Sequence, residues 1–304
     1  MGDIFEMVVI SGKGGTGKTS ICASLAHLAS HSQKQAILCD LDVDAPDLHI
    51  IFEPNILEEH EFISGFEASI DEDKCIACGK CLELCHFSAI KPKDNVFTVD
   101  PLRCEGCKVC VTFCPEEAIK FEEKKCGDWY ISNTRFGSFV HAQLGAGEEN
   151  SGRLVTLLKK EAKDIAKKEN KSLIIYDGSP GVGCPVISSL SGVHLALLVV
   201  EPTPSGRHDF ERIAKLCDHF RIPVAVLINK ADLNAEEAKK IMEYALQRKY
   251  YFAGRLNFSA DIIKAMVAKK TVTETNSPMG NLLDEIWEDL LRYIELPKVK
   301  EIHL

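Results

Sequence analysis

The feature that most constrains this chain is a duplicated run of cysteines. Eight of its thirteen cysteines lie between residues 75 and 114, where KCIACGKCLELCHFSAI is followed, at an offset of 29 residues, by RCEGCKVCVTFCPEEAI. Disulfides are rare in intracellular proteins, where cysteines clustered at short, regular spacing indicate metal ligands instead. The repeat therefore predicts a small metal-binding unit with two similar halves.

Composition limits where the chain acts and what it binds. Of its 304 residues, 45% are hydrophobic, which is enough for a sizeable core, and the net charge is −9. This acidic balance argues against a broad surface for nucleic acid. No apolar run approaches about 18 residues, so we expect no membrane insertion. The first residues lack the basic segment of a signal peptide, which predicts a cytoplasmic protein.

Short apolar runs outside the cysteine region indicate buried strands, at residues 7–10, 36–39, 173–176, 195–200 and 224–228. Segments with helical spacing separate them, at residues 20–29, 152–169, 207–220 and 236–248. Uninterrupted apolar runs are typical of strands buried on both faces of a parallel sheet. We predict an α/β fold with a doubly wound, mostly parallel sheet at 1–68 and 126–304, and an inserted α+β domain at 69–125.

Both cysteine runs resemble the bacterial ferredoxin pattern C-x2-C-x2-C-x3-C, although only the second is followed by proline, at Pro115, where the first has His86. In that pattern three cysteines of a run hold one [4Fe–4S] cluster and the fourth holds the other. The resemblance implies two cluster sites, formed by Cys75, Cys78, Cys81 and Cys114 and by Cys104, Cys107, Cys110 and Cys85. Two zinc sites are the alternative, but these are usually built from separate CxxC pairs.

A glycine-rich segment at residues 12–19, GKGGTGKT, follows the first predicted strand and matches the phosphate-binding P-loop pattern. Backbone N–H groups and the positive end of the following helix bind phosphate oxygens in such loops. We predict that Lys18 contacts the β- and γ-phosphates and that the Thr19 hydroxyl binds Mg²⁺. The predicted nucleotide-binding residues of this segment are Gly12, Gly14, Gly15, Thr16, Gly17, Lys18, Thr19 and Ser20.

The additional lysine of KGGTGKT, Lys13, resembles the deviant Walker A lysine of the MinD/ParA/nitrogenase-iron-protein superfamily of P-loop ATPases. The resemblance implies that Lys13 reaches the nucleotide of a dimer partner, so that hydrolysis depends on dimerisation. Lys13 and Lys18 would then be catalytic together with Asp40, which would position the attacking water. Asp42 and Asp177 would hold Mg²⁺, and residues 178–183 would form the second switch segment.

The identity of the base is less constrained than the phosphate site. Asn229, in INKAD, follows a buried strand at the place where the superfamily has an asparagine that hydrogen-bonds the base. The same letters match the N-K-x-D pattern of GTPases, in which an aspartate, here Asp232, reads guanine. We favour ATP because the Walker A segment resembles that of MinD.

The five other cysteines have separate expectations. Cys22, Cys39 and Cys217 lie in apolar patterns and are predicted to be buried. Cys126 is predicted to be either a hinge residue or an exposed thiol. Cys184 is predicted to pack in a tight turn, and the alternative, implied by similarity to the nitrogenase iron protein, is a cluster ligand.

The C-terminal segment at 281–296 has amphipathic helical spacing and is acidic. We predict that it packs on the sheet through apolar residues on one side, which are Leu282, Leu283, Ile286, Leu290 and Ile294. The glycine-rich stretch at 141–155 is either a substrate or partner loop or a plain connector.

Nearly the whole chain resembles MinD-superfamily ATPases that contain an inserted ferredoxin domain, through KGGTGKT, both cysteine runs and the stretches at 141–155 and 177–186. The resemblance implies an ATPase with ATP, Mg²⁺ and two [4Fe–4S] clusters as cofactors. Nucleotide-driven switching of a homodimer or heterodimer would gate electron transfer to a redox protein partner. The alternatives are an Mrp-like iron–sulfur carrier ATPase and a MinD/ParA-like positioning ATPase with a redox-sensing insert.

Overall fold

A computed structural model describes residues 4–32, 35–148 and 152–296 of the chain. The strands are, in chain order, β1 (Phe5–Ile10), β2 (Ala36–Asp40), β3 (Asn55–Ile70), β4 (Ile90–Lys93), β5 (Val96–Val99), β6 (Ile119–Thr134), β7 (Gly137–Leu144), β8 (Leu173–Asp177), β9 (Leu195–Val200), β10 (Val224–Ile228) and β11 (Tyr251–Arg255). The helices are α1 (Lys18–His31), α2 (Leu48–Phe52), α3 (Lys80–Leu84), α4 (Val109–Phe113), α5 (Arg153–Lys168), α6 (Cys184–Leu190), α7 (Pro204–His219), α8 (Ala235–Gln247), α9 (Ala260–Val267) and α10 (Pro278–Ile294). Short 3-10 turns occur at Ala231–Leu233 and Val272–Glu274.

The described residues divide into two compact units. The first unit holds residues up to 59, residues 129–143 and residues 152–296, and the second holds residues 60–128 and 144–148. The predicted insertion at 69–125 therefore falls inside the second unit, which includes additional residues of the long strands β3 and β6.

A parallel sheet is the centre of the first unit. Strands β11, β10, β9, β1, β8, β2 and β7 lie side by side in that order, and every neighbouring pair is parallel. The order continues with β6 and β3. The register brings the carboxyl ends of β1, β2 and β8 together, with Asp177 opposite both Val9 and Asp40. Carboxyl ends of parallel strands are where open α/β sheets bind ligands.

Helices cover the sheet on both faces, because its strands are apolar on both faces. Helices α1, α2 and α10 pack over one face in a core that contains Val9, Leu38 and Leu197. Helix α5 contacts β2 and β8, and α7 contacts β9, through other buried residues. These layers confirm the predicted α/β fold with a doubly wound, mostly parallel sheet.

Two predicted helices differ from the observed ones at particular residues. Helix α7 begins at Pro204, before the predicted residue 207, because the Thr203 side chain caps it by accepting from the Gly206 N–H. Helix α10 packs against β11 of the sheet, as predicted, but Leu282 is 36% exposed, and Met279 and Trp287 are buried on its inner side. Among the described residues, no helix combines the length and apolar character needed to cross a bilayer.

The second unit contains α3, α4, the antiparallel β4–β5 pair and most of β3 and β6. Its two cysteine runs share an unusual backbone pattern, with left-handed residues at the same places in each run. These are Ala77 and Gly106, Gly79 and Lys108, and Ser88 and Glu117, each pair separated by the offset of the sequence repeat. The two runs therefore have matching local folds as well as matching sequences.

Candidate functional site

The P-loop joins β1 to α1 at the carboxyl end of the sheet. Gly17 has a φ of 88°, and a side chain there would overlap the Asn229 amide, so the loop requires glycine at this position. A Cβ on Gly12 would overlap Asp209 at the start of α7, whereas Gly14 faces open space. Ser20 donates to the Met266 sulfur at 3.2 Å. The phosphate-binding backbone is thus held between α7 and the Asn229 loop.

Lys18 lies at the centre of the site among acidic side chains. Its ammonium is 2.6 Å from the Asp177 Oδ1 atom and 3.4 Å from the Asp42 Oδ2 atom, and its side chain is 6% exposed. It also donates to the Thr19 hydroxyl at 3.4 Å. The structure therefore brings together three residues predicted to bind Mg²⁺ around the predicted phosphate-binding lysine.

The charged side chains of this cluster shift one another's pKa values. Burial alone would lower the pKa of Lys18, but Asp177, Asp42 and Asp40 together raise it above its usual value. Burial raises the pKa of Asp42 to about 6, against the opposing effect of Lys18. Burial and Asp177 hold the pKa of Asp40 well above its usual range. Excess carboxylate concentrated around one ammonium is an environment suited to a divalent cation.

Two polar atoms in this buried site have no hydrogen-bond partner among the described residues. They are the Thr16 hydroxyl oxygen and the Asp177 Oδ2 atom. Buried polar atoms are normally paired, and an unpaired one indicates a water, ion or ligand partner or a functional role. Both atoms lie where the sequence predicts a Mg²⁺–nucleotide, so the donor set fits that cofactor.

Asp40 makes contacts that the sequence did not reveal. Its Oδ1 atom accepts from the Asp42 N–H at 3.0 Å and its Oδ2 atom accepts from the Leu48 N–H at 3.4 Å. The carboxylate thus supports the loop between β2 and α2. A role in positioning water stays a prediction.

The Lys13 side chain makes a hydrogen bond and an ion pair within its own chain. Its ammonium donates to the Thr203 hydroxyl at 3.2 Å and lies 3.9 Å from Glu201, which is also 3.5 Å from the Lys230 ammonium. Lys230 in turn donates to the Gly15 carbonyl at 2.9 Å. Sequence patterns did not indicate roles for Glu201 or Thr203, and they placed Lys230 in INKAD without assigning it a contact, because all three residues act through contacts between distant segments.

Asn229 and Asp232 support loops. The Asn229 amide is buried, donates to the Thr16 carbonyl at 2.7 Å and accepts from the Lys230 N–H at 3.0 Å. Asp232 accepts from the Phe258 N–H at 2.6 Å. Base binding by Asn229 stays a prediction, and the structure gives this side chain a second role in holding the P-loop.

The segment after Asp177 is tied to both neighbouring loops. The Ser179 hydroxyl donates to the Leu41 carbonyl at 2.7 Å, and the Gly181 N–H donates to the Ser11 carbonyl at 3.0 Å. The predicted second switch segment therefore contacts the loop that follows β2 and the residue that precedes the P-loop.

The remaining cysteines can now be placed. Cys22, Cys39 and Cys217 are buried, as predicted. Cys184 is exposed at the start of α6, so the prediction of a packed thiol is wrong at this position. Cys126 is buried and donates to the Ser64 carbonyl at 3.0 Å, which excludes the exposed-thiol alternative. In the stretch at 141–155, residues 149–151 lie outside the described residues.

The eight cysteines of the two runs line two recesses, of about 350 Å³ and 390 Å³, each open in part to solvent. The cysteines of the first recess are Cys75, Cys78, Cys81 and Cys114. Those of the second are Cys85, Cys104, Cys107 and Cys110. Each recess thus combines three cysteines of one run with the fourth of the other. Binding of a cluster by either set stays a prediction.

Apolar side chains complete both recesses, including Ile70 and Phe97 in the first and Leu84 and Phe87 in the second. The Ala118 N–H donates to the Cys114 sulfur at 3.3 Å. Burial raises the pKa of Cys110 to about 11. Helix α3, which carries Cys81, contacts α4, which carries Cys110, so the two sets are neighbours. Within the described part of the chain, no three His, Cys, Asp or Glu side chains are placed to hold a single metal ion.

Replacing Gly106 tests how closely the second recess is built. A Cβ there would overlap the Phe66 carbonyl oxygen, and φ is +60°, so Gly106→Ala should cost about 1–3 kcal/mol of unfolding free energy. Ala77 occupies the equivalent place in the first run with φ of +55°. Ala77→Gly is therefore the matched control, with little expected loss. Equal denaturation midpoints for the two variants would contradict this packing.

Comparisons with known proteins identify the family. Residues 7–272 match the model of the family described as "CobQ/CobB/MinD/ParA nucleotide binding domain". The protein MJ0578 of Methanocaldococcus jannaschii is 34% identical over 294 residues, which cover 97% of this chain and 99% of that protein.

Solved structures agree with the fold. The cell division ATPase MinD of Pyrococcus furiosus is 14% identical, with a TM-score of 0.57 over 95% of this chain and 99% of that one. The septum site-determining protein MinD of Pyrococcus horikoshii, complexed with Mg-ADP, is 13% identical, with a TM-score of 0.58 over 97% and 99% of the two chains.

The family match covers most of the chain and includes the P-loop, the aspartates at the ends of β2 and β8, and Asn229 after β10. The chain belongs to the CobQ/CobB/MinD/ParA nucleotide-binding family and is a P-loop ATPase of the MinD/ParA type.

Proposed function

We propose that this chain is an ATP-driven dimer switch of MinD/ParA type that carries two [4Fe–4S] clusters in its second unit. The observation that carries the proposal is the crossed lining of the two recesses. Three cysteines of each run meet the fourth cysteine of the other run, Cys114 in one recess and Cys85 in the other. This arrangement is the one that two-cluster ferredoxins use.

The backbone around the cysteines supports the same proposal. Left-handed residues at matching places in each run, such as Gly79 and Lys108, directly precede the short helices α3 and α4. A left-handed residue next to right-handed ones is the backbone conformation of a nest, in which successive N–H groups face one side. Such nests of N–H groups bind anions and occur at many iron–sulfur sites. The Ala118 N–H already donates to the Cys114 sulfur. When bound, [4Fe–4S] clusters supply one-electron chemistry, and this chain would contribute the thiolates, the N–H donors and apolar walls around them.

In the first unit, the residues would divide the work of nucleotide hydrolysis. Lys18 would exchange its present contact with Asp177 for phosphate oxygens. Thr19, Asp42 and Asp177 would hold Mg²⁺. Asp40 would position the attacking water. The free Asp177 Oδ2 atom supports this division, because it is a buried acceptor with no partner among the described residues.

Dimer switching would depend on Lys13. In the present state its ammonium is held by Thr203 and lies near Glu201, and it is 31% exposed. These contacts are few and partly solvated, so they would be exchanged at small cost when a partner's nucleotide is within reach. Either a second copy or a related ATPase would serve as the partner.

Lys13→Ala should slow ATP hydrolysis at least about tenfold while leaving nucleotide affinity within about twofold, because the lost contact is made only in the dimer. Turnover is measured at saturating ATP, and dimer formation by size-exclusion chromatography with ATP and with ADP. Lys230→Ala is a matched control, since Lys230 also lies near Glu201 and the P-loop. Normal turnover by the Lys13→Ala protein would remove the argument for a deviant Walker A lysine.

Electron transfer to a redox protein partner is a second candidate function for the same sites. It is favoured by the closeness of the two cysteine sets, because α3, which carries Cys81, packs against α4, which carries Cys110. The comparisons support the MinD/ParA-like switch more strongly than this candidate, and they do not bear on an iron–sulfur carrier. The switch, the electron-transfer protein and the carrier differ in the effect that nucleotide binding should have on bound iron.

Iron and acid-labile sulfide in the anaerobically purified chain test the proposal. It predicts about eight of each per chain. Loss of iron to an apo-ferredoxin, stimulated by ATP, would favour the carrier. A nucleotide-dependent reduction potential without such loss would favour gated electron transfer. Purified protein with neither iron nor sulfide, but with normal ATP turnover, would leave the ATPase and overturn the cluster proposal.

A further inference from the structure

A basic recess lies between α5 and α6 in the first unit, away from the P-loop. It encloses about 670 Å³, part of it open to solvent. Four lysines of α5 line it, together with hydroxyl side chains and one carboxylate. The lining residues are Thr156, Lys159, Lys160, Lys163, Asp164, Lys167, Ser188 and Ser191. No step of nucleotide hydrolysis or cluster binding uses this recess.

Lys159 forms the floor of the basic recess. Its side chain is 6% exposed, and its ammonium donates to the carbonyl oxygens of Ser189 at 2.9 Å and Ser191 at 2.5 Å. It also lies 4.9 Å from the Tyr176 ring centroid. Burial lowers the pKa of Lys159 to about 8, and Glu6 opposes this shift. An added negative charge at the recess would stabilise the ammonium form.

The outer lysines have only weak partners. Lys160 lies 3.6 Å from Glu161 and Lys167 lies 3.4 Å from Asp164, and the two lysine side chains are 70% and 60% exposed. Exposed ion pairs of this kind contribute about 0–1 kcal/mol. An incoming carboxylate could replace either pair at little cost. Lys163 is held more firmly, at 3.0 Å from the buried Glu6.

The spacing of the lysines indicates the size of a ligand. Lys160, Lys163 and Lys167 follow one another at helical spacing on one face of α5, over about 10 Å. A single phosphate or carboxylate spans less than this distance. A short segment with several carboxylates would reach all three lysines.

We propose that the basic recess docks an acidic segment of a partner protein. A protein ligand fits better than nucleic acid, because the carboxylates of Glu161 and Asp164 lie among the lysines, whereas a nucleic acid presents a regular row of phosphates along its backbone. Docking at this place would act next to the predicted 178–183 switch segment, because α6 begins directly after that segment. Lys159 donates to the carbonyls at the C-terminal end of α6.

Fluorescein-labelled octaglutamate is a suitable probe for the full-length chain, with binding followed by anisotropy at about 50 mM and about 300 mM salt. The test variant is Lys160→Glu with Lys167→Glu. The matched control is Lys215→Glu with Lys239→Glu, which reverses two exposed helical lysines elsewhere in the first unit. Circular dichroism checks that both variants are folded.

Saturable binding that weakens with salt, falls at least about tenfold in the test variant and stays within about twofold in the control would support the docking site. Absence of saturable binding, or equal weakening in both variants, would overturn it. Tighter binding of a duplex DNA probe than of octaglutamate, lost in the same test variant, would also overturn it and assign the recess to nucleic acid. ATP turnover and iron content are measured separately, so failure here is distinguishable from failure of the proposed function.

Discussion

The Lys18→Ala protein is expected to hydrolyse ATP at least about 100 times more slowly than the unaltered chain. The ammonium is the cation nearest the predicted phosphate site, and it is poised between Asp177 at 2.6 Å and Asp42 at 3.4 Å. Charge neutralisation at the transferred phosphoryl group is the main contribution of a P-loop lysine. The measurement is steady-state phosphate release at saturating Mg²⁺–ATP.

The same substitution should also weaken the fold, which needs a separate control. Without Lys18, the buried Asp177 and Asp40 carboxylates lose their nearest positive charge, and removal of one partner of a buried pair costs about 3–5 kcal/mol. Adding Asp177→Asn to Lys18→Ala removes one stranded charge. The double variant should unfold at a higher temperature than the single variant but should not regain turnover. Recovery of turnover in the double variant, or nearly normal turnover by a folded Lys18→Ala protein, would contradict the assigned role.

Loss of Cys114 should remove the same iron as loss of Cys75, although the two residues belong to different runs. Both line the first recess, so either Cys→Ala change should reduce the iron content from about eight atoms per chain to about four. The double variant Cys75→Ala with Cys114→Ala should lose no more. By contrast, Cys104→Ala with Cys114→Ala should lose nearly all iron, because Cys104 lines the second recess. Iron and sulfide assays on anaerobic protein measure the four cases.

Cys126→Ala is the control for this series, because Cys126 is buried in the same unit but lines neither recess. It should keep all the iron. If Cys114→Ala and Cys104→Ala together removed only about four iron atoms, Cys114 would belong to the site of its own run. That outcome would refute the crossed arrangement even if the protein contains iron.

The parts of the fold that the sequence predicted are those fixed by local patterns. Uninterrupted apolar runs located five strands of the parallel sheet, and GKGGTGKT located the turn into α1. The resemblance of the two cysteine runs to the ferredoxin pattern implied which cysteines share a recess. Each of these signals depends on residues that are close in sequence and on a period or spacing that one structure favours.

The parts that the sequence could not predict depend on contacts between distant segments. Thr203 contacts Lys13 across 190 positions, and Asn229 contacts the Thr16 carbonyl across 213. Neither residue type is unusual at its place in the sequence, so only the folded chain reveals its role. Leu282 was predicted to pack on the sheet but is partly exposed, because helical spacing alone does not show which edge of α10 faces the core.

The boundaries of the second unit also depend on contacts between segments that are distant in sequence. Residues 69–125 contain the cysteine repeat, but the compact unit also includes 60–68, 126–128 and 144–148. Lys124 and Glu148 form an ion pair of 2.7 Å with both side chains largely buried, and the Gly145 N–H donates to the Cys126 carbonyl at 2.8 Å. These contacts attach a segment that the repeat itself does not mark.

The most direct test of a nucleotide switch that carries clusters is electron paramagnetic resonance of the reduced, anaerobic full-length chain. Spectra are recorded with Mg²⁺–ATP, with Mg²⁺–ADP and without nucleotide, and the Lys18→Ala protein is treated in the same way. We expect signals of reduced [4Fe–4S] clusters that change with Mg²⁺–ATP in the unaltered chain and do not change in the variant. Spectra without any cluster signal, or cluster signals identical in all nucleotide states of the unaltered chain, would contradict this account.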